Sequence, residues 1–467
     1  MAFRTNAVYC GDCQRILPTH IPEKTIDLIF LDPPYYSNKP YEAFWGDSFE
    51  RRAFEDRWKG GIENYLSWME PKLSACHQVL KDTGSMYLQC DTHANAYLRV
   101  MMDGIFGRNN FKNEIVWKRS KNRSSMSKIF RRTHDTLLFY TKSKNYTFNM
   151  QYRELSKASK ELYDKEDEHG HYQLVPLLVS GKRGGETGKP WKGMDPNVRG
   201  RAGMHWVTKP SKLEKYEQEG LIVWLKDGEG TPRLKYYLET NKGVPLSDIW
   251  DDVEPISSSS RETKGYPTQK PSALLERIIK NSSNPGDIVL DPMCGCGTAI
   301  ETAYKLKRKY IGIDISPTAC KVMLRSMHKI DSTIPYNVKD IIGMPKTVAQ
   351  IKELLPFEFQ NFICEALSAR PSAKLSGDEG VDGHIIMTGT PLQVKKSEHV
   401  GRNVVDNFET AIKRKKRTDG VIVAYSFTKD AFGEVARAKR EEHLDIELKT
   451  LDQVLADADD LLADEEE

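Results

Sequence analysis

No apolar run in the chain approaches the length needed to cross a membrane. The first residues, MAFRTNAVYCGDC, lack the apolar core of a secretion signal. A soluble cytoplasmic protein is the expectation. Cysteine is sparse, 8 in 467 residues, so a disulfide scaffold is excluded and reduced thiols are expected. Cys10 and Cys13 form a CxxC pair, but Cys294 and Cys296 form only a CxC. A zinc ribbon would want a second CxxC, so small buried thiols are the simpler reading. No internal repeat is visible. Net charge is nearly absent at +3, yet 457–467 (DADDLLADEEE) holds seven acids and no base. Without that acidic tail the body has 69 bases against 59 acids, which suits a polyanionic partner but does not prove one.

The length implies two or three domains. Residues 1–150 alternate strand and helix patterns: IDLIFLD, a helix over 62–81 with Pro71 as an interruption, GSMYLQC, and DTLLFYTK. Residues 151–264 are rich in Gly, Lys, Arg and Trp with weak periodicity. The piece 181–206 alone has seven glycines and six bases, which reads as a loop-rich insert. Residues 265–330 return to α/β, with a helix over 272–283, a strand at DIVLD, a helix from Thr298 and a strand at YIGID. Pro335, Gly343, Pro345 and Pro356 mark 331–356 as a linker, after which 357–455 form another α/β unit and 456–467 the tail.

Two stretches carry chemistry. The first is IDLIFLDPPYYSN, where a buried strand ends in Asp32-Pro33-Pro34-Tyr35. Alone, Asp-Pro is a common turn starter. The second is DIVLDPMCGCGTAIETAYKLKRKYIGIDIS, 287–316, a strand, glycine turn, helix and strand ending in an acid. Gly295 and Gly297 let backbone approach a ligand, and Asp314, 17 residues past Gly297, is placed for ribose hydroxyls. The full GxGxxG fingerprint is missing, which favours an adenosine carrying an amino acid over a dinucleotide.

These motifs resemble the amino-group DNA methyltransferases, and the order, with D-P-P-Y before D-P-x-x-G-x-G-T, resembles their circularly permuted β class. The likeness extends to YCGDCQRIL with Asp12, to YPTQKPSALLERII with Lys270 and Pro271, and to EIVWKRS…THDTLLFYTKS, covering roughly 1–330. It implies a Rossmann-like S-adenosylmethionine-dependent fold with a mixed seven-stranded sheet, whose halves, 1–150 and 265–330, flank a target-recognition insert at 151–264. It implies cofactor contacts at Asp12, Lys270, Asp291, Pro292, Met293, Gly295, Gly297, Thr298 and Asp314. It also implies double-stranded DNA as partner, a prokaryotic cytoplasmic location on the nucleoid, and leaves a homodimer open.

An exocyclic amino group is a poor nucleophile because its lone pair is delocalised into the ring. Acceptors on its two N–H bonds would free that lone pair: the Asp32 carboxylate and a carbonyl held rigid within Pro33-Pro34. Tyr35 would stack on the base, which must first leave the duplex. Methyl transfer would then be an in-line displacement without a covalent enzyme intermediate or a metal. No Pro-Cys dipeptide occurs, which argues against carbon-5 chemistry on cytosine. The resemblance implies adenine N6 over cytosine N4, since the cytosine enzymes more often have serine where this chain has Asp32. Seven bases in WKRSKNRSSMSKIFRR, 117–132, could track phosphates. Trp191, Trp206, Arg183, Arg199 and Arg201 are expected as base or groove contacts.

In 356–398 a helix carries Glu365, a turn carries Asp382, and a hairpin returns as Leu392-Gln393-Val394-Lys395. An acid followed by Q-x-K on the next strand resembles PD-(D/E)xK nucleases, in particular the Mrr-type restriction family. The resemblance implies that Asp382 binds Mg²⁺, that Gln393 assists where an acid usually stands, and that Lys395 orients the attacking water. A fused modification and restriction enzyme is expected. Its rivals are a solitary methyltransferase with a non-cleaving DNA-binding or interaction tail, and a nuclease whose other half only recognises DNA.

Overall fold

The structure, a computed structural model, describes residues 3–35, 40–45, 50–55, 61–120, 128, 130, 132–199, 203–225, 230–256, 260, 262, 269–335, 340–344, 348–371 and 380–457. Two compact units emerge, one built from Met1–Asn149 with Ser247–Glu467, the other from Met150–Leu246.

The first unit holds the main sheet. Its strands are β1 (Ala7–Cys10), β2 (Ile26–Leu31), β3 (Leu80–Cys90), β4 (Phe111–Lys118), β5 (His134–Thr141), β6 (Ile249–Trp250), β7 (Ile288–Asp291) and β8 (Lys309–Asp314), in the order β1-β8-β7-β2-β3-β5-β4-β6. β5 is antiparallel to both neighbours and the other pairings are parallel. This is the expected Rossmann-like mixed sheet, with two-residue β6 as an eighth strand at the edge beside the seven. β2 reads as one apolar run because both its faces are covered.

One face carries α1 (Cys13–His20), α2 (Gly61–Val79) and α3 (Asn95–Met102), packed through Leu17, Tyr65, Leu73 and Leu98. The other carries α4 (Ser272–Ser282), α5 (Thr298–Lys305) and α6 (Pro317–Ile330), through Leu274, Ile278, Ile300 and Met323. Buried Leu274, Leu275, Ile278 and Ile279 recur at helical spacing along α4. α2 continues through Pro71 rather than breaking there. α6 starts on the Ser316 cap with Pro317 in its first turn.

Part of the expected linker lies against the sheet. Ile342 exchanges backbone hydrogen bonds with β1, donating to Val8 O at 2.9 Å and accepting from Cys10 N at 2.8 Å. An edge strand otherwise leaves such groups unpaired. α7 (Val348–Glu353) and α8 (Pro356–Ala366) follow. A second sheet, β9 (Ala369–Pro371), β10 (Gly383–Ile385), β11 (Pro391–Val394), β12 (Asp419–Ala424) and β13 (Asp445–Thr450), runs in chain order, antiparallel then parallel. α8 and α11 (Leu451–Asp457) border one small core with Phe359, Ile363, Leu392 and Val454; α9 (Arg402–Arg414) and α10 (Lys429–Glu442) border another with Phe408, Ile412 and Ile422.

The second unit has a four-stranded antiparallel sheet of 165–167, 170–176, 222–224 and 232–237. It corrects one expectation: Trp191 and Trp206 are 6% and 0% exposed and form its core with Leu177, Met194 and Leu213, so neither faces a groove. Their indole N–H groups donate to Glu214 and to the Lys189 carbonyl. Tryptophan in a glycine-rich insert is needed for a core when few other apolar residues are available. Arg183 is exposed and Arg199 half-exposed, and Arg201 lies outside the described residues. Among the described residues no helix is long and apolar enough to cross a membrane. All eight cysteines are free and buried.

Candidate active sites at the strand ends

β2 and β7 lie side by side and parallel, so the two chemistry-bearing turns that follow them open at the same edge of the sheet. After β2, the Tyr35 hydroxyl donates to Asp32 Oδ1 at 2.6 Å. The Lys270 ammonium bonds the other carboxylate oxygen, Oδ2. Lys270 is buried and lies 5.3 Å from the centre of the Tyr35 ring. Tyr65, on the buried face of α2, donates its hydroxyl to the Pro34 carbonyl at 2.9 Å. Burial, and then the Asp32 charge, pushes the Tyr35 hydroxyl well above its ordinary range, so it stays a donor.

Lys270 was expected at the cofactor, and the structure places it on Asp32. The residues just before it, 263–268, lie outside the described residues, as do 36–39 after D-P-P-Y and most of the basic stretch 121–131. Trp117, which opens that stretch, is buried and donates to the Val253 carbonyl.

After β7, Asp291 is 3% exposed, and burial raises its carboxyl well above the usual range, with Asp32 and Asp314 adding to the push. Met293 N donates to it at 3.2 Å. The turn Pro292–Gly297 then passes beneath β8: Gly295 N donates to Asp314 Oδ2 at 2.8 Å, and Ser316 N to Oδ1 at 2.9 Å. Burial also raises the Asp314 carboxyl. Gly297 has φ +78°, and a Cβ there would meet Met323 Cγ at 2.4 Å. Thr298 is buried at the start of α5. Asp12, past β1, caps α1 through Gln14 N at 2.9 Å and lies 3.5 Å from buried Lys72. A cavity of about 610 Å³ opens beside Gly11, Asp12, Ile315 and Pro317 and reaches Glu358 and Phe362 of α8. Carboxyl groups at neighbouring strand ends and a turn in which Gly297 leaves no room for a Cβ fit an adenosyl cofactor.

Sequence reasoning missed Asp135, the second residue of β5, which is 2% exposed. Its only signal was an acid bordering an apolar run, the same signal that marked Asp32. Burial pushes its carboxyl up to about 6; Arg119 and Lys270 hold it down and Asp32 pushes it further. Arg119 Nε is 2.9 Å from Asp135 Oδ1, but Oδ1 has no aligned hydrogen-bond partner among the described residues. Gln89, fully buried on β3, donates to Oδ2 at 3.3 Å. Tyr65 was missed as well, since helical spacing marks it only as core.

In the second sheet Asp382 precedes β10, and its Oδ2 accepts from Val394 N at 2.7 Å across the hairpin. Gln360 of α8 donates to the Asp382 carbonyl at 3.0 Å. Burial and then Asp382 push the neighbouring Cys364 thiol up to about 12. Gln393 is 3% exposed and its Oε1 has no hydrogen-bond partner among the described residues. Lys395 follows β11, its backbone N bonded to Val423 O, and Glu365 is buried on α8. A buried oxygen without a donor, two residues from a lysine and one hairpin from a carboxylate, fits a hard cation. The one cluster of three acids within ligand distance among the described residues is elsewhere, at Asp406, Glu409 and Glu434, where Arg402 and Arg437 pair with it.

Comparison with known proteins agrees with this division. The profile of a family described as DNA methylase matches residues 26–325, and that of a family described as restriction endonuclease, the Mrr catalytic domain, matches 351–456. The type II methyltransferase M.EcaI of Enterobacter cloacae is 35% identical over 65% of this chain and 64% of its own. The Mod subunit of the type III enzyme StyLTI of Salmonella typhimurium is 29% identical over 61% and 47%. The adenine methyltransferase YhdJ of Escherichia coli is 27% identical over 70% and 83%. The chain thus spans about two thirds and about half of the first two relatives. The PvuII cytosine-N4 methyltransferase aligns in structure with TM-score 0.39 and 13% identity, covering 69% of this chain and 86% of that one.

Proposed function

Starting from a chain that belongs to the DNA methylase family and carries a C-terminal Mrr-type restriction-endonuclease domain, we propose that it methylates the exocyclic amino group of a base flipped from double-stranded DNA, adenine N6 in first place, and that its C-terminal domain cuts DNA with Mg²⁺. What supports methyl transfer is the placement of Asp32, a fixed carboxylate at the same sheet edge as the glycine turn and Asp314. S-adenosylmethionine, when bound, supplies a methyl group on a positively charged sulfur. Asp314 and Asp12 would accept from its hydroxyl and amino groups, and the turn at 292–297 would lie against its amino-acid part.

The chain's own work is on the amino group. Asp32 accepts one N–H. One lone pair of the Pro34 carbonyl is taken by Tyr65, and the Pro33 carbonyl, with both of its lone pairs to offer, is assigned the other N–H. Both draw the nitrogen toward tetrahedral geometry, so its lone pair faces the methyl group. As the N–C bond forms and the S–C bond breaks, one amino proton passes to Asp32 or to water. Tyr35 would stack on the base.

In the C-terminal domain Asp382 and Gln393 Oε1 would hold the metal, and Lys395 would orient water. Mg²⁺, when bound, supplies charge for the phosphate and a more acidic water. The rival reading, a solitary methyltransferase with a non-cleaving tail, is favoured by one fact: no three-acid cluster forms at Asp382 among the described residues. Incubating DNA with labelled S-adenosylmethionine and digesting it to nucleosides tests the first reading. N6-methyladenine is expected; N4-methylcytosine would overturn only the choice of base, and no labelled base would overturn methyl transfer.

A further inference from the structure

We infer that Lys270 is a positioning residue for the catalytic carboxylate, holding Asp32 in its acceptor form, rather than a ligand of the cofactor. This rests on the reading that Asp32 accepts the amino group. Asp32, half-buried just past β2, lies between two buried carboxylates, Asp291 ending β7 and Asp135 second in β5. The Asp32 charge adds to the raised proton affinity of both Asp291 and Asp135, and in both Lys270 is an opposing charge. Tyr35 and Cys90 also face Asp32, but burial holds both neutral. Arg119 acts on Asp135 from the β4 side, and Asp314 adds to the crowding on Asp291. Of the cations named here, Lys270 alone bonds Asp32 directly.

A carboxylate that takes up a proton loses its acceptor lone pair toward the substrate N–H and becomes a donor. An ammonium bonded to a carboxylate favours its charged, accepting form, and Lys270 is so placed on Asp32. It also fixes the rotamer, because Oδ1 is tied to Tyr35 while Oδ2 is tied to Lys270. Each carboxylate oxygen accepts two hydrogen bonds, so the ion pair leaves a lone pair for the substrate.

The test uses the full chain. Lys270→Met should cut kcat about a hundredfold and move the acid limb of the kcat profile up by roughly one pH unit or more. Its Kd for S-adenosylmethionine, read by calorimetry without DNA, should change less than about threefold. Lys270→Arg should restore most of the rate and return the limb. A large loss of cofactor affinity with an unmoved acid limb would make Lys270 a cofactor ligand and overturn the inference. Should Lys270→Met fold poorly, Asp32→Asn/Lys270→Met should melt higher than Lys270→Met alone, because one unopposed carboxylate is gone; a double variant no more stable would also overturn it. Asp32→Ala keeps the two ideas apart: full methylation by that variant would sink the catalytic reading itself.

Discussion

At the scale of single residues the candidate methyltransferase site is a balance of clustered acids against few cations. Asp32→Ala should abolish methyl transfer while leaving calorimetric binding of S-adenosylmethionine within a few-fold, since Asp314 and the glycine turn are untouched. Gly297→Val should do the reverse. It puts a β-branched residue at φ +78° with its Cβ 2.4 Å from Met323 Cγ, a combined cost of about 2–5 kcal/mol. Cofactor binding should be lost and the melting temperature lowered. Asp135 gives a pH prediction with a definite sign. Its carboxyl is raised from 3.8 to about 6 in the folded chain, so the folded state holds that proton more tightly than the unfolded one. The resulting stability is complete below about pH 4 and is lost as pH rises through 6, on the order of 3 kcal/mol. Urea unfolding should therefore show the wild type losing stability relative to Asp135→Asn between pH 4 and pH 8. A wild type that gains relative to the variant over that range would contradict the assignment.

At the scale of elements, helix and strand placement decides which backbone acceptor is free. Tyr65 reaches the Pro34 carbonyl because α2 packs its buried stripe on the β2 side of the sheet. Tyr65→Phe should lower stability by about 1 kcal/mol and lower kcat several-fold with cofactor affinity kept; unchanged kcat would mean the turn needs no such support. The same elements show what was legible. β2, β7 and β8 were readable because strands buried on both faces are unbroken apolar runs, and their terminal acids stand out against them. The glycine turn was readable from spacing within one segment. The contacts of Lys270 were not, since they join positions 238 apart in sequence and depend on strand order. Trp191 and Trp206 misled because an aromatic beside basic residues has the same local pattern whether it fills a small core or faces a nucleic acid. β6 escaped notice because two residues carry no periodicity.

At the scale of the whole chain, two sheets hold two candidate chemistries, joined through α1 and α8, where Arg15 bonds the Glu358 carboxylate at 3.0 and 3.2 Å. Because the D-P-P-Y turn and the β10–β11 hairpin sit on different sheets, Asp382→Ala and Lys395→Ala should stop Mg²⁺-dependent cutting and leave methylation intact. The assay needs unmodified, hemimethylated and fully methylated DNA, with and without Mg²⁺; no cutting of any of them would leave the solitary-methyltransferase reading standing. Gln393 separates a metal site from an incidental hairpin without relying on cleavage. Its Oε1 is buried and has no hydrogen-bond partner among the described residues, an arrangement that costs about 1–3 kcal/mol unless a ligand satisfies it. Gln393→Met, similar in volume, removes that polar oxygen. In chelator the variant should melt at or above the wild type. Adding Mg²⁺ should raise the wild-type melting temperature, because a ligand that binds only the folded chain stabilises it in proportion to RT ln(1 + [L]/Kd), and should leave the variant unmoved. A variant that melts well below the wild type in chelator would show that Gln393 supports the fold through its amide. Equal Mg²⁺ shifts in both proteins would place the metal away from Gln393.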